Sequence, residues 1–189
     1  MRNIAIKTLK VFVILQLLVL NTSCLDYSRN MVDGKLEPPE PGFFENDKTI
    51  GGIDSNNDGV RDDIERWINR EFPGEENYNK RMACKQYAKE VRNIQIHIDD
   101  EEMLNKHSFL WIDADVCVLY VYTDLIKDPY GKQVKQGDKI LEKSNNTKER
   151  VKAWMVADRN FAGKSHALPP RQEMRRKKCE FEIKPRKGF

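Results

Sequence analysis

No hydrophobic run in this 189-residue sequence is long enough to cross a membrane: the most apolar stretch, 11–20, covers about ten residues, half of the roughly 20 that a spanning helix requires. Cysteine and histidine are scarce, at four and three. The cysteines have no close-pair spacing and His97, His107 and His166 form no matching cluster, which argues against a zinc site. No residue sits in a recognised nucleophile motif or catalytic metal spacing, so no enzyme class is indicated by pattern. There is no internal repeat. The length suits one domain with a real core and is short for two.

The N-terminus has the organisation of an export signal. Arg2, Lys7 and Lys10 precede the apolar run, and Asn21, Thr22, Ser23 and Cys24 follow it. The shortness of the run fits a cleaved signal over 1–23 better than a permanent anchor. A leucine-rich run ending in small residues before cysteine resembles a bacterial lipoprotein signal. That resemblance implies that Cys24 is lipidated and becomes the mature N-terminus. Leu25, where Gram-negative lipoproteins kept at the inner membrane carry Asp, implies the outer membrane, with the domain facing the periplasm.

Removing 1–23 takes away three basic residues and no acidic ones, so 33 Lys+Arg against 30 Asp+Glu becomes 30 against 30. The mature chain is neutral, and global charge gives no argument for nucleic acid. The charge is uneven, however: 171–189 holds eight basic and three acidic residues. This segment reads as a basic tail, either solvated or in contact with acidic lipid, cell-wall polymer or protein. Between the signal and residue 50, Pro38, Pro39, Pro41, Gly34 and Gly42 with little periodicity indicate a flexible tether over 24–50. Phe43 and Phe44 are expected to mark where the chain first packs on the domain.

The richest stretch is 54–65, which reads D-S-N-N-D-G-V-R-D-D-I-E. Calcium takes six to eight oxygens, and a twelve-residue loop supplies them from positions one, three, five, seven, nine and twelve. Those positions hold Asp54, Asn56, Asp58, the backbone carbonyl of Val60, Asp62 and Glu65, with Gly59 at the sixth, where a sharp turn needs positive φ. The pattern resembles an EF-hand calcium loop, and more closely the single-helix variants of dockerin and thrombospondin type 3 repeats. The resemblance covers the ligand loop and its exit helix. Residues 46–53 show no entering helix, and Arg61 replaces the aliphatic residue through which EF-hands pair. It therefore implies one unpaired Ca²⁺ site of modest affinity, about 10⁻⁴ to 10⁻³ M, and not a sensor that opens. The alternative is an Asx-rich turn capping the helix that begins near Asp62.

The remainder predicts a mainly α, small helical domain over 51–170. Ile64, Trp67, Ile68 and Phe72 share one helix face, stopped by Pro73 and Gly74. A second helix spans 76–96, with Cys84, Ala88, Val91 and Gln95 on one stripe. Asp99 or Asp100 caps a third, in which Leu110, Ala114, Cys117 and Val121 have helical spacing; for 116–123 a buried strand is the competitor. A polar helix over 132–143 follows the Pro129–Gly131 turn. Asn146 and Glu149 resemble a capping box ahead of an apolar face of Val151, Trp154, Met155 and Phe161. Pro169 and Pro170 end the helices, and alternation at Cys179, Phe181 and Ile183 suggests a short C-terminal strand.

In an antiparallel helix pair joined near Asp99, Cys84 lies fifteen residues before the joint and Cys117 eighteen after it. Their heights differ by about 4.5 Å at helical rise, which predicts a Cys84–Cys117 disulfide, with two buried thiols as the alternative. Together these features point to an exported, calcium-binding, non-enzymatic module anchored through Cys24, whose partner is a cell-envelope protein or polymer. An inhibitor or immunity-type protein that neutralises an envelope-targeted toxin shares these traits. The competing class is an envelope hydrolase using His107 or His166 as base, with Asp113, Asp115 or a cysteine.

Overall fold

Helix periodicity dominates the chain, and the computed structural model describes residues 29–122, 131–163 and 171–185, omitting the side chains of 131–134. The signal, Cys24, His166 and the Pro169–Pro170 stop lie outside the described residues. The chain divides after Pro39. Ahead of that point, β1 (Met31–Val32) and β2 (Lys35–Leu36) form an antiparallel hairpin pairing Met31 with Leu36 and Val32 with Lys35. Asp33 and Gly34 make its two-residue turn, both with positive φ, as a hairpin turn of matching twist requires. Part of the segment read as a tether therefore carries regular structure.

From Glu40 onward the fold is mainly helical. The helices are α1 (Phe43–Asn46), α2 (Asp62–Glu71), α3 (Tyr78–Ile96, entered through a 3₁₀ turn), α4 (Glu101–Tyr122), α5 (Gly131–Ser144), α6 (Lys148–Phe161) and α7 (Gln172–Arg176). Phe43 and Phe44 do not pack on the domain as expected. They are 74% and 82% exposed and meet edge to face with each other, whereas Asn46 turns inward.

α3 is the centre of the arrangement, touching α2, α4, α5 and α6. With α4 it makes a helical hairpin, in which Tyr87 meets Trp111 and Cys84 meets Tyr122. Asp100 Oδ1 accepts the Met103 N–H at 3.0 Å and starts α4, and helix continues through 116–122. The strand alternative for that stretch is not realised: Val116, Cys117, Val118, Leu119 and Val121 are all buried, so this part of α4 is a helix apolar nearly all round, enclosed by its neighbours. The main core joins Val60, Ile64 and Ile68 to Ala83, Cys84, Tyr87, Ala88 and Val91 of α3, Ala114, Cys117, Val118 and Val121 of α4, and Ile140 of α5. A second cluster under α6 contains Ile94, Leu104 and Ala157 with Trp111, Trp154 and Phe161.

Three expectations are corrected. The cap of α6 is Thr147, whose side chain accepts the Arg150 N–H at 3.3 Å, one residue beyond Asn146. Of the expected apolar face of α6, Trp154 and Phe161 pack on the core, but Val151 and Met155 are exposed and the buried residues are Arg150, Ala153 and Ala157. The disulfide joins Cys117 to Cys179, with Cα atoms 5.0 Å apart, and leaves Cys84 as a buried free thiol. The cause is register. Cys84 Sγ lies 3.6 Å from the Tyr122 hydroxyl, more than a helical turn past Cys117 on α4, and the C-terminal segment brings Cys179 to Cys117 instead.

That segment is not the expected strand, nor wholly a solvated tail. Residues 179–183 pair with no strand among the described residues, although Cys179, Phe181 and Ile183 do face the core. Their backbone is held by side-chain amides of α3. Gln86 donates to the Lys178 carbonyl and accepts the Glu180 N–H at 2.9 and 3.1 Å, and Asn79 does the same for the carbonyl and N–H of Lys184, both at 2.9 Å. Two helix side chains satisfy polar groups that a neighbouring strand would otherwise satisfy.

Candidate metal centre

The loop 54–65 connects the segment after α1 to the first turn of α2. Its backbone turns through Asn57 at φ 56° and Gly59 at φ 90°. The left-handed region suits asparagine and glycine, and at Gly59 space is a second constraint: a Cβ there would fall 2.8 Å from Cγ of Lys89. Asp54 organises the turn, accepting the Asp58 N–H at 3.2 Å and the Gly59 N–H at 3.0 Å on its two oxygens. Asn56 Oδ1 also accepts the Asp58 N–H, and Asp58 accepts the Val60 N–H at 2.9 Å. Asp62, in the first turn of α2, accepts the Ser55 N–H at 3.0 Å. Short polar side chains thus bond backbone a few residues away, as such residues do in turns.

Asp62 is the unusual member. It is 0% exposed, and its Oδ2 has no hydrogen-bond partner. Burial pushes its pKa above the ordinary carboxylate value; the Ser55 hydrogen bond opposes this, and nearby Asp54 and Asp58 add to the rise. An unpartnered buried carboxylate oxygen is costly.

Two basic side chains of α3 enter the loop. Lys85 Nζ lies 2.8 Å from Glu65 Oε1, with both side chains largely buried. Arg92 lies 3.5 Å from Asp54 Oδ2 and donates to the Gly51 carbonyl at 2.8 Å. The second oxygen of Glu65 accepts from Asn56 Nδ2 at 3.0 Å. Among the described residues no three His, Cys, Asp or Glu side chains form a metal-holding group. The predicted donors divide between the turn, with Asp54, Asn56, Asp58 and Val60, and the first turn of α2, with Asp62 and Glu65, and Glu65 is drawn onto Lys85.

Around the loop, two buried arginines fix its frame. Arg61 grips Asp63 at 2.6 and 3.0 Å and donates to the carbonyls of Lys143 and Ser144 at the C-terminal end of α5. Arg61 therefore serves as a C-cap for α5. Arg150, 0% exposed, donates to the carbonyls of Asn46, Thr49 and Ile50 and to Asp47 and Asn146. Burial and the neighbouring charge of Arg61 lower its pKa, and these acceptors supply the compensation a buried guanidinium needs. Neither arginine nor Lys85 has a local sequence signal; only the absence of an aliphatic residue at position eight hinted at Arg61.

Among the described residues, the candidate hydrolytic side chains His107, Asp113, Cys84 and Cys179 each have other partners. His107 Nδ1 meets the buried Glu90 carboxylate at 2.7 Å, and its ring stacks on His97. A cavity of about 290 Å³ nearby is lined by Ile98, Asp99, Glu101, Leu104, Asn105 and Asn160, with neither His107 nor Glu90 among its lining residues. Asp113 is paired with Lys178 at 2.8 Å. Cys179 is in the disulfide, and burial raises the Cys84 thiol to about 12, far from the thiolate a nucleophile needs. Comparison with known protein families, curated proteins and solved structures finds no match to this chain.

Proposed function

We propose that the chain is an exported, non-enzymatic calcium-binding module of the cell envelope, in which Ca²⁺ rigidifies the junction between the N-terminal segment and the helical body. The observation that carries the reading is the buried, unpartnered Oδ2 of Asp62, beside Asp54 and Asp58 in a loop of hard oxygen donors. An ordinary Asx turn accounts for the loop's N–H bonds but leaves that oxygen, and its repulsion by Asp54 and Asp58, unexplained. A divalent cation held by Asp54, Asn56, Asp58, the Val60 carbonyl, Asp62 and Glu65 accounts for both. The ion would draw the first turn of α2 onto the loop, and the frame set by Arg61 and Arg150 would carry that order to α5, α6 and the segment after α1.

In this reading Cys24 is the lipidated anchor at the outer membrane, and the domain faces the periplasm, where its partner is an envelope protein or polymer. Calcium titration against chelator by isothermal calorimetry tests the site. A one-to-one heat with a dissociation constant of about 10⁻⁴ to 10⁻³ M, accompanied by a higher melting temperature, is expected. No heat and no shift would remove calcium from the account.

A further inference from the structure

The Glu at the twelfth position of the loop, which would bind calcium through both oxygens, already has both engaged. Lys85 places a full positive charge 2.8 Å from Oε1, and the Asn56 amide donates to Oε2 at 3.0 Å. The Lys85 and Glu65 side chains are 14% and 8% exposed, so solvent screens this pair poorly and a second cation arriving at the same carboxylate meets strong repulsion. Arg92 is a weaker version of the same arrangement, at 3.5 Å from Asp54 and tied to the Gly51 carbonyl.

The third basic residue on this face of α3, Lys89, behaves differently. Its stem runs past Gly59, but its ammonium is taken by Glu180 of the C-terminal segment and by Glu90. Lys85 and Lys89 therefore have the same charge one helical turn apart, and only Lys85 is held by a loop donor.

We infer that Lys85 is an affinity-setting residue of the calcium loop, an internal cation that competes with Ca²⁺ for Glu65. This rests on the calcium reading above. Binding is then an exchange: the ion takes Glu65 and the Lys85 ammonium withdraws toward solvent. The four carboxylates proposed as ligands, Asp54, Asp58, Asp62 and Glu65, face the positive charges of Lys85 and Arg92, which keeps the site weak enough to respond at millimolar calcium.

The test is calorimetric titration of the full chain with calcium, using wild type, Lys85→Met, Lys85→Arg and Lys89→Met. Lys85→Met keeps the stem and removes the charge, and it should bind at least about tenfold more tightly than wild type. Lys85→Arg and Lys89→Met should stay within about threefold. Melting curves in chelator check folding, and Lys85→Gln replaces the Met variant if that one does not fold. A Lys85→Met affinity equal to or weaker than wild type overturns the inference, as does an equal gain in Lys89→Met, because a general field effect then suffices. Binding by Lys85→Met alone, with none by wild type, upholds it in its strongest form. No heat from any of the four overturns the calcium reading and the inference together.

Discussion

Arg150 Nη2 donates to the backbone carbonyl of Asn46 at 2.6 Å, joining residues 104 apart in the chain. The same guanidinium holds Thr49 and Ile50, so one fully buried side chain on α6 fixes the run that leads into the loop. Arg150→Met should unfold at lower denaturant, with a loss of about 3 to 5 kcal/mol, because it strands several buried carbonyls and Asp47. Arg150→Lys should recover little, since an ammonium cannot reach acceptors arranged around a planar fork. Urea denaturation of the three proteins checks both expectations.

The Cys117–Cys179 bridge joins α4 to the segment held by Gln86 and Asn79. Peptide mapping of the non-reduced protein should recover these two cysteines together. Cys179→Ser should cost about 2 to 4 kcal/mol, as expected for closure of a long loop, and should increase proteolysis near 178–184. Cys84 should resist thiol reagents at pH 8 in the folded protein and react only on unfolding, because burial holds its thiol near 12. Rapid labelling of Cys84 under native conditions would contradict its placement in the core.

Gly59 is constrained twice, by φ of 90° and by the Lys89 stem beneath it. Gly59→Ala should therefore lower stability by about 1 to 2 kcal/mol and, on the calcium proposal, weaken binding of the ion, since a shifted turn would misplace the Val60 carbonyl. Lys89→Ala in the same background removes the stem but not the backbone strain. It should restore part of the stability and not all of it, measured by thermal melting.

The helices were legible because their buried residues recur at helical spacing, as at Ile64 and Ile68 or at Ala114, Cys117 and Val121. The inward face of α6 was legible only in part: Trp154 and Phe161 do pack on the core, but its buried positions are an arginine and two alanines, and hydrophobicity pointed also to the exposed Val151 and Met155. The alternation at Cys179, Phe181 and Ile183 was read as a strand; the alternate residues do pack on the core, but the segment's backbone partner is a helix. The spacing of the loop donors was visible in the sequence, since it is local. Lys85 and Arg92, 20 and 38 residues from their carboxylates, reach the loop only through the packing of α3, and the disulfide depends on the same long-range placement.

Asp62 makes stability depend on pH in a direction opposite to that of an ordinary paired carboxylate. Its folded pKa is raised by burial and by Asp54 and Asp58, so between the unfolded value and the folded one the native state holds the proton more tightly. In chelator this contribution is present below the unfolded pKa of about 3.9 and is lost as pH rises through the folded pKa. Asp62→Asn removes the charge and keeps the shape. In chelator it should melt higher than wild type at pH 7, and the difference should shrink as pH falls toward 4. On the calcium proposal, added calcium should reverse the order at pH 7, because wild type would gain an ion at Asp62 where the amide supplies a weaker donor. Melting both proteins across pH 4 to 8, with calcium and with chelator, separates the buried charge from its role as a ligand.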